Sequence, residues 1–156
     1  MAQNVLITGG TGLVGTRITA MLQQKGYNIS YLSRSSKNVK GVDVYQWNVK
    51  KQTIDEKAIA NADYIVHLAG ANVAGHKWTD SYKKTIIDSR LQSAQLLKAA
   101  IEKTGSLPKA FIAASAIGYY GNTGNNWATE ESHPGDDFLA DVCVKWEQKT
   151  DEVAAL

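Results

Sequence analysis

Cysteine is nearly missing. Cys143 is the one thiol among 156 residues, so no internal disulfide can form, which suits a reducing compartment. No apolar run approaches the ~20 residues needed to cross a bilayer. The opening stretch, MAQNVLITGG, has neither the basic start nor the apolar segment of a secretory signal. An excess of charge of one sign is also lacking. Seventeen Lys and Arg against 15 Asp and Glu leave a net charge of +2, too little to mark a nucleic-acid or membrane surface. The three histidines and the cysteine show no ligand spacing, so no metal site is expected. These absences point to a cytoplasmic protein that works on a small molecule, with no nucleic-acid or membrane partner.

What is present is ordinary for a folded chain: 44% hydrophobic and 21% charged residues, long enough for one domain over 1–156 with a real core. Short apolar runs alternate with longer helical patterns. Asn4–Thr8, Asn28–Ser33, Val42–Trp47, Tyr64–Leu68 and Lys109–Ala114 read as five strands. Between the first two, Leu13, Val14, Ile18, Met21 and Leu22 recur at helical spacing, with Gly26 as the stop. A short helix is expected over residues 54–60, with Thr53 as a cap. A long one runs from Thr79 or Asp80 to Lys103 on a stripe of Ile86, Ile87, Leu91, Ala94, Leu97 and Ile101, ended by Gly105. Residues 118–135, rich in Gly, Asn, Ser and Thr, read as a loop of functional length. A last helix begins near Asp136 or Asp137, with Phe138, Leu139, Val142, Cys143 and Trp146 on its apolar side. Strands separated by helices imply an α/β, Rossmann-type doubly wound parallel sheet in the order 3-2-1-4-5. Its ligand crevice lies where strands 1 and 4 diverge.

The first strand ends in a glycine pattern, Gly9, Gly12 and Gly15, that opens straight into a helix. The first glycine permits a tight turn, the second lets the backbone approach a pyrophosphate, and the third packs helix against strand. Phosphate oxygens then meet free N–H groups and the positive end of the helix dipole. The expected contacts are Gly9, Thr11, Gly12, Leu13, Val14 and Gly15. No Lys-Ser or Lys-Thr pair follows Gly15, which argues against a mononucleotide P-loop. At the end of the second strand, Leu32-Ser33-Arg34-Ser35-Ser36-Lys37 contains no carboxylate. An acidic residue there would bond the ribose hydroxyls of NAD, whereas Arg34, beside Ser33, attracts a 2′-phosphate. NADP(H) is therefore favoured over NAD(H).

Five segments, the glycine turn among them, carry a resemblance. T-G-G-T-G-L-V-G, H-L-A-G-A-N at residues 67–72 and S-A-I-G-Y-Y-G at residues 115–121 are similar to the extended short-chain dehydrogenases/reductases. W-T-D…I-I-D-S-R, from Trp78 to Arg90, and F-L-A-D-V-C-V-K-W-E, from Phe138 to Glu147, resemble an atypical branch of the NAD(P)-dependent epimerase/dehydratase family, described as cell-division-inhibitor-like. The resemblance covers essentially the whole chain. It implies cofactor contacts at Leu68, Ala69 and Gly70, and an adenine contact at Asn48, where relatives often carry Asp. It also implies a longer protein, of which this chain would be the N-terminal part, stopped before a C-terminal substrate domain and with its fifth strand left as an exposed edge.

Ordinary members of that family carry a Ser followed by Tyr-x-x-x-Lys, in which the Tyr is acid or base and the Lys lowers its pKa. This sequence has no Tyr-x-x-x-Lys. Matching Glu147 to the Glu that often follows the motif puts Leu139 in the Tyr place and Cys143 in the Lys place. Lys145 is two positions further, about 200° around a helix. Ser115 matches the first serine of the usual S-S-x-x-V-Y-G, but Ala116 stands at the second, catalytic one. The expectation is an oxidoreductase- or epimerase-type enzyme with a non-standard acid/base, or else a non-catalytic NADP(H)-binding regulatory or scaffold protein. Tyr119, Tyr120 and Ser115 are the catalytic candidates; either phenol could donate a proton or simply pack in the loop. Arg90, on the apolar side of the long helix, could reach the cofactor phosphates or a substrate anion, or pair with Asp88 or Glu102. His67 reads as a satisfied core histidine, His76 as a loop residue near the crevice and His133 as solvated. Cys143 reads as a small core residue, and Trp78, Trp127 and Trp146 as packing residues. Homo-oligomerisation and the substrate are left open.

Overall fold

Parallel pairing around one central strand organises the chain, which the computed structural model describes over residues 2–156. The strands are β1 (Asn4–Thr8), β2 (Asn28–Ser33), β3 (Asp43–Asn48), β4 (Thr53–Ile54), β5 (Tyr64–His67) and β6 (Ala110–Ala113). The helices are α1 (Leu13–Gln24), α2 (Lys57–Ala60), α3 (Asp80–Thr104) and α4 (Phe138–Ala154), with one 3₁₀ turn at Ile117–Tyr120. The sheet runs β4-β3-β2-β1-β5-β6, parallel except for the antiparallel β3–β4 pair. The expected order is therefore present, with one short hairpin strand added at an edge. That addition corrects the expected helix over residues 54–60. Thr53 pairs opposite Asn48 in β4 and caps nothing, and the helix is a single turn beginning at Lys57.

Register brings the carboxyl ends of the parallel strands level. Thr8 lies beside Leu32 and His67, and His67 beside Ala113. The segments after β1, β2, β5 and β6 therefore leave from one edge of the sheet, where ligands of such sheets bind. Alternation splits the core. Leu6, Leu32, Trp47 and Ile65 face α2, α3 and α4, packing with Ile59, Leu97 and Ile101. Val5, Ile7, Ile29, Tyr31 and Val66 face the other way, against Ile18 and Leu22 of α1.

Helix α1 corrects a second expectation. Leu13, Val14 and Met21 are exposed, Leu13 by 90%. The packing stripe is Gly15, Ile18, Thr19 and Leu22, of which Gly15 and Thr19 are buried. The reason is closeness: small residues let the helix axis approach the sheet, and the Thr19 hydroxyl meets the Tyr31 hydroxyl at 2.7 Å. Helix α3 starts at the Thr79 cap, whose side chain accepts from the Tyr82 amide, and ends at left-handed Gly105. Helix α4 starts at the Asp137 cap, which accepts from the Ala140 amide. Trp146 is buried as expected, and Trp78 meets Phe138 edge-to-face at 5.3 Å. Trp127 is not a packing residue here, being 96% exposed in the loop. Strand β6 lies at the sheet edge with Ile112 half exposed.

Candidate functional site

The turn after β1 is shaped by backbone approaches that leave no room for side chains. Gly9 takes φ +71°, and a Cβ on it would lie 3.1 Å from the Ala69 nitrogen. A Cβ on Gly15 would lie 2.5 Å from the Gly9 carbonyl oxygen, an overlap with main chain that only movement of the helix relieves. Gly12 differs: its Cβ would meet only the Gly9 oxygen at 3.3 Å, and the residue is exposed. The turn is closed by the Gly12 amide donating to Gly9. Gly10, which falls between the three motif positions, is required as well, because its Cβ would enter the Tyr31 ring at 2.3 Å. The signal for it was the bulky Tyr on the neighbouring strand, invisible until register placed the two together.

Gly12 caps α1 with no side chain, and no acidic residue stands in the first turn. The first-turn amides therefore face outward beside exposed Thr11, Leu13 and Val14. Such a cradle fits an anionic pyrophosphate: a positive helix end, open amides and no acidic residue in the first turn. Ser33 ends β2 and Arg34 follows it, exposed, with the Ser33 oxygen accepting from the Ser35 amide. Asn48, at the end of β3, spends its side-chain oxygen on the Lys51 amide, and its –NH₂ has no partner among the described residues.

Across the crevice, Leu68, Ala69 and Gly70 leave β5. The Leu68 and Ala69 amides both donate to the Thr8 hydroxyl oxygen at 3.1 Å. His67 is fully buried, bonded to Thr8 at 2.7 Å and Ser93 at 3.1 Å, and burial lowers its pKa to about 4. It is the satisfied core histidine that its position in a strand suggested. His76 lies in the loop, edge-on to Tyr82.

Arg90 makes neither of the expected ion pairs. Asp88 pairs with Lys84, and Glu102 with Lys98 at 3.9 Å; Asp88 is two positions from Arg90, about 200° around the helix, and Glu102 twelve positions away, about 18 Å along it. Its guanidinium instead donates from one Nη to the Ala71 and Ile86 carbonyls and lies 4.9 Å from the centre of the Trp146 ring. Its buried Nε has no acceptor among the described residues, and burial pulls its pKa down. A Cβ on Gly70 would come within 3.1 Å of this guanidinium.

The catalytic candidates gather on the α4 side. Tyr119 and Tyr120 occupy a 3₁₀ turn rather than plain loop, half-buried, their rings edge-to-face at 5.2 Å. Gly118, just before them in the chain, packs against Leu139 and Cys143. The Cys143 thiol is 3.8 Å from the Ala116 carbonyl, and burial, then Glu147, pushes its pKa up. It is a protonated packing group and not an activated nucleophile. Lys145 is exposed and pairs with Asp141 at 2.6 Å. Ser115 donates to Glu147, and the two line an open cleft beside the free edge of β6. Among the described residues no group of three or more His, Cys, Asp or Glu side chains gathers into a metal site, and no helix is long and apolar enough to cross a membrane.

A parallel sheet with a glycine cradle at its carboxyl edge, capped by an uncharged helix start, defines a dinucleotide-binding protein of the Rossmann type. The comparison with known proteins narrows this. Residues 5–139 match the model of the NAD dependent epimerase/dehydratase family, and the chain belongs to that family. It is 34% identical over 146 residues to an epimerase family protein of Mycobacterium bovis, covering 94% of this chain and 47% of that protein. A nucleoside-diphosphate sugar epimerase from Corynebacterium glutamicum superposes with a TM-score of 0.80 at 35% identity, over 99% of this chain and 32% of that one. Human epimerase family protein SDR39U1, solved with NADPH, superposes with a TM-score of 0.76 at 30% identity, over 95% of this chain and 48% of that one. The chain thus spans about half the length of the curated relatives it matches.

Proposed function

We propose that this chain is the nucleotide-binding part of an NADP(H)-dependent oxidoreductase- or epimerase-type enzyme of small molecules, cytoplasmic, with Tyr119 or Tyr120 as a non-standard acid/base. The observation that carries the cofactor half is the acid-free end of β2: Arg34 is exposed just past the end of this strand, which pairs with β1. A carboxylate there would repel a 2′-phosphate, and a guanidinium receives it. The NADPH in the human relative's structure supports the same cofactor. Gly9, Thr11, Gly12, Leu13, Val14 and Gly15 would hold the pyrophosphate; Ser33, Arg34 and Asn48 the adenosine end; and Leu68, Ala69, Gly70 and Arg90 the opposite wall. When bound, the cofactor supplies hydride transfer. The chain's own part is to orient it and to hold a proton at a phenol, with the Ser115 oxygen, whose proton goes to Glu147, able to accept from a substrate hydroxyl.

Calorimetry of the purified chain tests the cofactor reading. NADPH is expected to bind about tenfold tighter than NADH, or about 1.4 kcal/mol; equal affinities remove the argument from Arg34. Turnover is tested on a protein carrying both halves, with carbonyls, alcohols and sugar nucleotides against NADPH and NADP⁺. Activity that survives in both Tyr119→Phe and Tyr120→Phe excludes the phenols.

A second reading is an NADP(H)-binding regulatory or scaffold protein without turnover. Leu139 and Cys143 favour it, since they pack against Gly118 and offer no phenol or ammonium there. Binding of NADPH with no turnover across the same screen selects this reading over the first.

A further inference from the structure

The hydroxyl of Thr8 has one proton to give and two lone pairs to receive. It receives the Ala69 amide at 3.1 Å and the Leu68 amide at 3.1 Å, the latter shared with the Thr8 carbonyl at 3.2 Å, and backbone amides can only donate, so among its described neighbours only the imidazole can accept. The Thr8 proton must therefore point at the His67 Nδ1, 2.7 Å away. An Nδ1 that accepts leaves the proton of a neutral imidazole on Nε2, which faces the Ser93 oxygen at 3.1 Å. Ser93 in turn donates to the Arg90 carbonyl at 3.0 Å. Each bond in this chain thus has a determined direction.

The chain of bonds joins three elements: the end of β1, the end of β5 and the middle of α3. It also stands among other ties to the same short segment. The Ala71 amide donates to the Ser89 hydroxyl at 2.9 Å, and Arg90 donates to the Ala71 carbonyl at 3.2 Å. Between these ties, Leu68 and Ala69 press on Gly9, and Gly70 lies against the Arg90 guanidinium. The groups around the imidazole are Thr8 from β1, Ser93 and the Arg90 carbonyl from α3, and Phe111 from β6 at 6.0 Å between ring centres.

We infer that His67 is a positioning residue. Held as the neutral Nε2–H tautomer, it closes a directional hydrogen-bond chain from the Ala69 amide to the Arg90 carbonyl, which holds residues 68–71 against the Gly9 turn and sets the wall of the crevice facing the dinucleotide. The link to nucleotide affinity rests on the NADP(H) reading above; the tautomer and the fastening of the segment do not.

Long-range ¹H–¹⁵N correlation at pH 7 reads the tautomer in the wild-type chain. A protonated Nε2 and an unprotonated Nδ1 are expected, and an Nδ1–H or doubly protonated ring overturns the proposal. Two variants and a control read the positioning. In His67→Asn the side-chain oxygen can still accept from Thr8; in His67→Leu nothing can. His67→Leu is expected to speed exchange of the Leu68 and Ala69 amides and to weaken NADPH binding, each about tenfold, the size of one buried hydrogen bond left unmade. His67→Asn is expected to stay within about threefold of wild type in both, less than one such bond. Ile59→Ala, which hollows the core under α2, is expected to lower Tm without changing NADPH affinity. If His67→Asn is no better than His67→Leu, or if Ile59→Ala loses NADPH as His67→Leu does, His67 is only a packing residue. Failure of the wild type to bind NADPH sinks the cofactor reading alone, and the tautomer and amide exchange then decide this one.

Discussion

The two ends of the crevice obey different rules. The β1–α1 side makes its site from missing side chains: each of Gly9, Gly10 and Gly15 is needed because something else occupies the space a Cβ would take. The α4 side must make its site from side chains that are present, and there Leu139 and Cys143 pack against Gly118 while Lys145 faces solvent in an ion pair. A backbone cradle survives unless a bulkier residue intrudes. A proton-transfer site is lost as soon as one functional group is replaced. Binding and chemistry can therefore separate within one fold, and the contrast can be tested from both ends.

The largest expected effect is on stability, through buried His67 at the end of β5. Its folded pKa of about 4 lies below the ordinary 6.5, so between these values the unfolded chain binds the extra proton. Stability from this group is complete above about pH 6.5 and is lost as pH falls toward 4, by roughly 3 kcal/mol. Denaturant titrations at pH 7 and pH 4 measure it, and His67→Asn is expected to flatten that portion of the pH dependence. An unchanged slope in the variant assigns the loss to other groups.

Gly15→Ala attacks the cradle alone. Its methyl would overlap the Gly9 carbonyl, pushing α1 off the turn, and NADPH binding is expected to fall about 100-fold, near 2.7 kcal/mol. Affinity within threefold of wild type in calorimetry would mean the turn is softer than its contacts imply. Arg34→Ala should erase the preference between cofactors, weakening NADPH about tenfold and NADH less than twofold. Equal loss for both would place Arg34 on the adenine and not on a phosphate. Cys143→Ser sits at the small end of the scale on the other side of the comparison. With the thiol protonated and buried, NADPH affinity should change by less than about twofold, and any turnover should persist. Abolished turnover with intact folding would make the thiol a participant.

Much of the sheet was legible from local pattern. Asn4–Thr8 and Tyr64–His67 are short apolar runs bounded by small residues, and Thr79 and Gly105 bracket α3 with a polar cap and a left-handed stop. The hairpin at Thr53–Ile54 was not legible, because two residues carry no period, and a pairing partner at Asn48 decides their state. The face of α1 was misjudged for a related reason. Hydrophobicity singled out Leu13, Val14 and Met21, whereas close approach to the sheet selected Gly15 and Thr19.

By itself, the sequence determined the order of strands and helices, the glycine turn and the absence of an acid after β2. Each of these is a property of a few neighbouring residues and their backbone freedom. Only the tertiary structure decided that Gly10 must yield to Tyr31, that Arg90 lies over Trp146 and donates to backbone carbonyls, and that His67 carries its proton on Nε2. Those depend on which atoms of distant segments meet, and hydrogen bonds and steric overlap act over distances of about 3 Å that sequence separation does not encode.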